Sequence, residues 1–231
     1  MNQKITIAID GFSSTGKSTI AKRLAKELEY VYVDTGAMYR AITLFALENG
    51  YISKDHENRE ALVAELSNIN LEFKFNSNLN YSEMYLNGRN VEKEIRTMQV
   101  SSFVSSIATI PEVRSKLVEM QKSMGEKKGI VMDGRDIGTV VFPDAELKLF
   151  LTASAQKRAQ RRYDELLERG ENVTYDEVLK NVTSRDEIDS TRKTSPLKKA
   201  KDAIEVDNSS MGLEEQFKQI HQHVLQAIQN S

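Results

Sequence analysis

There is no cysteine among the 231 residues, which excludes disulfides and thiolate metal sites and agrees with a reducing compartment. Histidine is nearly as scarce. His56 stands far along the chain from His221 and His223, and those two read as surface residues, so no imidazole metal site is suggested. No apolar stretch approaches the ~20 residues that a membrane span needs. The N-terminal residues carry one lysine ahead of a short strand-like run, unlike a secretory leader, and a cytoplasmic protein is expected. Neither sign of charge dominates: Lys and Arg number 32 against 34 Asp and Glu, for a net charge of -2. That balance gives no footprint for nucleic acid or a membrane surface. Repeats and low-complexity tracts are also missing. What is present, 39% hydrophobic and 29% charged residues, is an ordinary globular composition, long enough for one domain with an insertion or for two small ones.

Asp10–Thr19 organises the chain. It contains G-x-x-x-x-G-K-[ST], with Gly11, Gly16, Lys17 and Ser18 at the defining positions. Ile5, Ile7 and Ile9 precede it as a buried strand would. Ile20, Leu24 and Leu28 follow at helical spacing, with Ala21 and Ala25 beside them. A glycine turn before an amphipathic helix would explain the loop alone, but both flanks are those of a phosphate cradle. In a cradle the loop amides and the helix N-terminus face the anion. Lys17 is placed to reach the β- and γ-phosphates, and the Ser18 hydroxyl to sit on or near Mg²⁺. The triphosphate contacts are expected from Gly11, Phe12, Ser13, Ser14, Thr15, Gly16, Lys17, Ser18 and Thr19.

Five short apolar runs read as buried strands: 5–9, 30–33, 129–132, 147–151 and 203–206. Helical patterns separate most of them, which argues for a parallel α/β sheet with helices on both faces. Ligands of such sheets bind beyond the carboxyl ends of the strands. Asp10-Gly11, Asp34-Thr35-Gly36, Asp133-Gly134-Arg135-Asp136 and Asp207-Asn208 stand at those ends, and the first three are expected to converge on one crevice. Residues 37–49 read as a helix closed by Gly50, and 51–65 as charged and poorly periodic. Ile69, Leu71, Phe73 and Phe75 alternate with polar residues, then 84–86 and an Asn87-Gly88 turn signal follow. We therefore expect a small antiparallel subdomain over 63–96, inserted into a core made of 1–62 and 97–231.

From Val100 to Met124 the pattern is helical, broken at Pro111, which suits the first turn of a new helix. Residues 154–194 are helical and strongly charged, with Thr174 and Glu177 as a capping box. Arg185, Asp189 and Arg192 share one helix face. A solvated, salt-bridged surface is the ordinary meaning of such a run. In the last helix Leu213, Phe217, Ile220, Val224 and Ile228 form one stripe expected to pack on the core.

A phosphate loop alone specifies a nucleoside triphosphate, not a reaction. The base-reading N-K-x-D of GTPases and the L-S-G-G-Q signature of transporters are both missing. Instead Arg40, Arg114, Arg135, Arg185 and Arg192, with Asp136 and Asp189, form a second polar set. Triphosphate on one side and fixed guanidinium groups on the other suit phosphoryl transfer to a second anion.

These residues resemble bacterial cytidylate kinases. The matching pieces are Ile7-Ala8-Ile9-Asp10-Gly11 with Gly16-Lys17-Ser18-Thr19, Asp34-Thr35-Gly36-Ala37-Met38-Tyr39-Arg40, Pro111-x-Val113-Arg114, and the run from Asp133 to Asp144, which reads D-G-R-D-I-G-T-V-V-F-P-D. Arg158-Ala159-x-Arg161-Arg162 and Arg185-Asp186-x-x-Asp189-x-x-Arg192 complete it. The resemblance spans almost the whole chain in order. It implies a P-loop three-layer α/β fold with strand order 2-3-1-4-5 and a helical lid at about 155–195. It also implies transfer from ATP to CMP or dCMP with Mg²⁺, in a monomer with small-molecule partners only. Thr35 would lie near the CMP phosphate and sugar and Tyr39 beside the nucleotide, with Arg40 and Arg135 on the phosphate. Ser105, Arg114 and Asp136 would read cytosine with Arg192 nearby, and Arg185 and Asp189 would address the ribose. Arg158, Arg161 and Arg162 would belong to the lid over the ATP phosphates, so that Lys17, Arg135, Arg158, Arg162 and Arg192 carry the transfer and Ser18 the metal. A carboxylate and a guanidinium do complement the donor and acceptors of the cytosine edge. Two features depart from the family pattern: Phe12 replaces a frequent proline, and Ser13-Ser14-Thr15 replaces a Gly/Ala-rich centre. A P-loop kinase of another metabolite, or a nucleotide-binding regulator without turnover, is the alternative that the residues alone leave open.

Overall fold

A computed structural model of the chain describes residues 3–77 and 81–231. β1 (Thr6–Gly11) feeds α1 (Lys17–Leu28), and β2 (Val31–Asp34) feeds α2 (Thr35–Glu48). Next come α3 (Arg59–Glu65), β3 (Leu71–Asn76), β4 (Tyr81–Leu86), β5 (Arg89–Asn90), α4 (Met98–Ile107) and α5 (Pro111–Gly125). β6 (Ile130–Gly134), a π-helical turn over Ile137–Val141, β7 (Leu147–Thr152), α6 (Ala155–Glu168), α7 (Tyr175–Thr191), β8 (Ile204–Asp207) and α8 (Leu213–Gln229) complete the chain.

β2, β6, β1, β7 and β8 form a parallel sheet in that order, which is 2-3-1-4-5 when only its own strands are counted, as expected. Alternation along β1 sends Ile7 and Ile9 to one face, against α1 and α8 through Ile20, Leu24, Phe217 and Ile220. Ala8 faces the other side with Val33, Met132 and Ile137. Helices therefore cover both faces of a sheet whose strands are buried runs. Asp34 pairs in register with Asp133, so the carboxyl ends that carry the polar groups line up along one edge.

Several boundaries differ from the sequence pattern for local reasons. Gly129 has φ 64, a left-handed conformation that keeps it out of β6. α2 begins at Thr35, directly after its strand, because the Asp34 carboxylate caps it by accepting from Ala37 N at 2.9 Å. The poorly periodic 51–65 stretch holds α3, capped by the Asn58 side chain, which accepts from Ala61 N. Pro111 starts α5, and Thr174 with Glu177 makes the capping box of α7. Asn87 and Gly88 both have positive φ, closing the two-residue turn between β4 and β5. Leu213 departs from the core stripe of α8: it is 46% exposed, while Phe217, Ile220 and Val224 are buried.

The three-stranded antiparallel sheet β3-β4-β5 does not have a core of its own. Leu71, Met84 and Leu86 join α2, α4 and α5 in one apolar cluster. Among the described residues no helix is long and apolar enough to cross a membrane. α5 ends flat against an aromatic ring: a Cβ on Gly125 would stand 2.2 Å from Phe142 Cζ. Gly125→Ala should cost about 1–3 kcal/mol, the penalty of overpacking, and lower the melting temperature by a few degrees. Thermal melting checks it, and an unchanged midpoint contradicts the contact.

Candidate functional site

The phosphate loop is held open by backbone geometry that only glycine tolerates at its first position. Gly11 has φ 145, and a Cβ there would stand 2.1 Å from the Leu151 carbonyl oxygen. Gly16, left-handed at φ 85, opens α1 and leaves the first amides of the helix facing the cleft. Lys17 is buried beneath the loop, donating to Phe12 O at 2.5 Å and to Thr15 Oγ1 at 3.3 Å. Burial, reinforced by the charge of Arg135, pushes its pKa down to about 7 against the pull of Asp133 and Asp10. An arriving polyphosphate supplies negative charge that favours the ammonium form.

Asp133, at the end of β6, joins the loop to the start of α2. Its carboxylate accepts from Ser18 Oγ at 3.1 Å and from Tyr32 OH at 2.7 Å, while its carbonyl accepts from Thr35 Oγ1 at 2.8 Å. Burial and the neighbouring Asp34 raise its pKa to about 6. The Asp10 carboxylate accepts from the amides of Ile137 and Gly138, both at 2.8 Å, and so ties β1 to the turn after Asp136.

Across the cleft lie arginines held by carboxylates. Asp34 accepts from Arg40 at 2.9 Å and from Arg96 at 3.1 Å. Burial opposes its ionisation, but the two guanidinium groups and the cap of α2 outweigh that and hold its carboxyl well below the usual range. Arg114 pairs with Asp136, both nearly fully buried, and its guanidinium lies 5.6 Å from the centre of the Tyr39 ring. Asp189 accepts from Arg135 at 2.9 Å and faces Arg192 at 3.6 Å. Arg185 donates to Ser101 Oγ at 2.9 Å, and burial followed by Arg135 lowers its pKa to about 9. Arg40 Nε, Arg114 Nε, Arg185 Nε and the Tyr39 hydroxyl are buried without a hydrogen-bond partner. Unpaired buried donors are costly, so this wall is built for an incoming acceptor of hydrogen bonds.

α6 and α7 pack on each other beside this wall. Arg162 donates to Arg96 O at 2.7 Å and to Glu165 at 2.9 Å. Arg161 donates to the Asn208 side chain and carbonyl at 2.9 and 3.0 Å. Arg158 is buried, its guanidinium occupied by Asp186 at 2.5 and 3.0 Å and by Ser13 O at 3.3 Å, and it lies 5.1 Å over the Phe12 ring. Phe12 also meets Phe150 edge to face. Here the aromatic ring at the loop's second position braces the loop from behind.

One cleft of about 1260 Å³ gathers these groups, more than the ~300–1,000 Å³ of a usual single-ligand pocket. Every expected site residue lines it except Gly11 and Phe12, at the start of the loop, and Arg158, which stands behind it. The fourth strand end also joins the site: Asn208 Nδ2 donates to Thr15 O at 2.6 Å. Sequence reasoning placed Asp133 at a strand end without giving it a part. Its signal was the final Asp of the β6 run. Arg96, from the end of the small-sheet segment, and Lys157 also line the cleft and carried no sequence signal.

The family model described as cytidylate kinase matches residues 7–230. A cytidylate kinase of Flavobacterium johnsoniae is 68% identical over 215 residues, covering 93% of this chain and 94% of that protein. One of Flavobacterium psychrophilum is 67% identical over 216 residues, covering 94% and 96%. One of Bacteroides fragilis is 56% identical over 214 residues, covering 93% of each.

Proposed function

The chain belongs to the cytidylate kinase family, and from that premise we propose how its cleft moves the γ-phosphoryl of ATP to CMP. It is an ATP-dependent nucleoside monophosphate kinase that makes CDP and ADP. The observation that carries the residue-level reading is the facing of two anion-binding walls: the phosphate loop with Lys17, and buried arginines with free donors opposite. ATP phosphates rest on Gly11–Thr19. Lys17 bridges the β- and γ-phosphates and neutralises charge as it moves to the acceptor. Arg40 and Arg135 grip the CMP phosphate and aim it in line, Arg162 and Arg192 close around the transferring group, and Arg185 and Asp189 fix the ribose, with Thr35 and Tyr39 beside them. dCMP is accepted on the same contacts. Arg158 acts through the loop it braces.

The donor set also fits Mg²⁺. Ser18 Oγ and Asp133 Oδ2 are hard oxygens 3.1 Å apart at the mouth of the loop, and Mg²⁺ in phosphate sites takes one or two protein oxygens plus phosphate and water. Bound there, the ion would screen the β- and γ-phosphate oxygens. We place the reaction in the cytoplasm, where both nucleotides are available, and in a monomer, because one chain supplies both walls. By the same reading the residues around 63–96 form the acceptor-side subdomain of a core made of the rest.

A panel of CMP, dCMP, UMP, AMP and small hydroxyl metabolites, offered with ATP and Mg²⁺, tests the assignment. CMP and dCMP should lead. A different preferred acceptor overturns the assignment of the second wall, and no turnover at all supports a regulator instead. Shielding the transfer from water also requires closure. Amide exchange across residues 155–195 should slow when CMP and a non-hydrolysable ATP analogue bind together; unchanged exchange at saturation argues against a lid there.

A further inference from the structure

Gln216 has no part in the contacts described so far, although it is only 4% exposed and lines the cleft. Its side-chain Nε2 is buried without a hydrogen-bond partner. An amide donor in that state weakens the free protein unless something that enters the cleft completes it. The neighbours indicate what enters. Met211 and Leu213 line the cleft beside it, and Leu213 keeps 46% of its surface exposed at the start of a helix whose next apolar residue, Phe217, is buried. Together they offer apolar side chains with one unpaired amide beside them, a combination that suits a heteroaromatic ring.

The topology places this patch. The acceptor wall takes Arg40, Arg135 and Asp136 from just beyond β2 and β6 and its other arginines from α5 and α7, the phosphate loop follows β1 in the middle of the sheet, and Met211, Leu213 and Gln216 follow β8 at the edge opposite β2. Asn208 binds the β8 end to the loop through Thr15 O, and the pair of Arg23 with Glu214, at 2.5 and 2.8 Å, fixes the start of α8 to α1. Gln216 is thus held on the side of the phosphate loop away from the acceptor.

We infer that Gln216 is the residue that reads the base of the phosphoryl donor and sets its preference for adenine. The inference rests on the reading of the loop as the ATP site. Adenine offers ring-nitrogen acceptors beside an exocyclic amino donor, and a carboxamide matches that pair with one N–H and one carbonyl. Guanine offers a carbonyl and a ring N–H instead, which the same amide meets only by turning over.

Steady-state kcat/KM at saturating CMP, with ATP, GTP and the triphosphate of purine riboside as donors, tests it. Wild type should prefer ATP to GTP by about tenfold or more, and lose a similar factor when the exocyclic amino group is missing. Gln216→Met, which keeps the length of the side chain without the polar edge, should bring the ATP-to-GTP ratio close to one through a loss with ATP, while KM for CMP stays put. If Gln216→Met does not fold, Gln216→Glu serves: it can only accept, so it should shift preference toward GTP. A wild type indifferent to the base, or a variant with the wild-type ratio, overturns the role of Gln216 and leaves the donor site standing. Absence of CDP with every donor overturns both.

Discussion

Lys17→Ala should lower the rate of CDP formation roughly 10³-fold or more while the protein stays folded. The reasoning is electrostatic. Lys17 is buried at the floor of the loop with its amine on Phe12 O at 2.5 Å, beside the place where we propose that the β- and γ-phosphates rest. Once bound polyphosphate has made this amine a cation, its charge costs no reorganisation in the transition state, and removing one such group commonly costs 10²–10³ in rate, more for a cation on a transferring phosphoryl. The fold should tolerate the change. Burial lowers the pKa of this amine, which means that its charged form is disfavoured in the free protein and its loss there removes no strong charge pairing. Single-turnover kinetics with ATP and CMP, beside a thermal melt, provide the check. A folded variant with near-normal turnover removes Lys17 from the chemistry.

The second large effect is on base choice. Asp136 and Arg114 form a buried ion pair, and Ser105 is buried in the same wall. If Asp136 accepts from cytosine N4, uracil turns an oxygen toward that carboxylate and its ring N–H toward Arg114. Two such mismatches, at about 1–3 kcal/mol each, give on the order of 10²–10⁴ in selectivity for CMP over UMP. Asp136→Ala should narrow that ratio, losing more with CMP than with UMP. It also strands the Arg114 charge in the interior, which costs about 3–5 kcal/mol of stability. Asp136→Asn is therefore the cleaner test. Its carbonyl still accepts from Arg114 and its amide now donates to uracil O4, so kcat/KM should shift toward UMP by at least about tenfold. If Asp136 only holds Arg114 in place, both substrates fall together and the ratio stays where it was.

The fold was legible wherever one residue type had one physical task. Alternating isoleucines gave β1, the glycine loop gave the start of α1, and Pro111 gave the start of α5. Boundaries slipped where a side chain decided them: the Asp34 carboxylate pulls the start of α2 back to Thr35, and Asn58 creates α3 in a stretch with no apolar period. In the site, the phosphate loop could be read from spacing, as could the shared face of Arg185, Asp189 and Arg192, while no spacing marked Arg40 or Arg114. The pairing within the wall could not be read, because Asp136 with Arg114 and Asp189 with Arg135 depend on how α5, α7 and the turn after β6 pack. Asp133 was hidden by its ordinary place at a strand end. Arg158 looked like Arg161 and Arg162 in sequence, yet it stands one turn nearer the start of α6, where it meets Asp186 and Ser13 O at the back of the loop. Leu213 fell in register with a core stripe but stands at the cleft, where helical period alone does not separate a core contact from a ligand contact.

The central claim is direct transfer between two anions held across one cleft. The most direct measurement follows labelled phosphorus from [γ-³²P]ATP in the presence of CMP and Mg²⁺. Label should appear in CDP, with one ADP formed for each CDP and little inorganic phosphate, and Lys17→Ala should form labelled CDP roughly 10³-fold more slowly. Label appearing as inorganic phosphate at the same rate with and without CMP would contradict it.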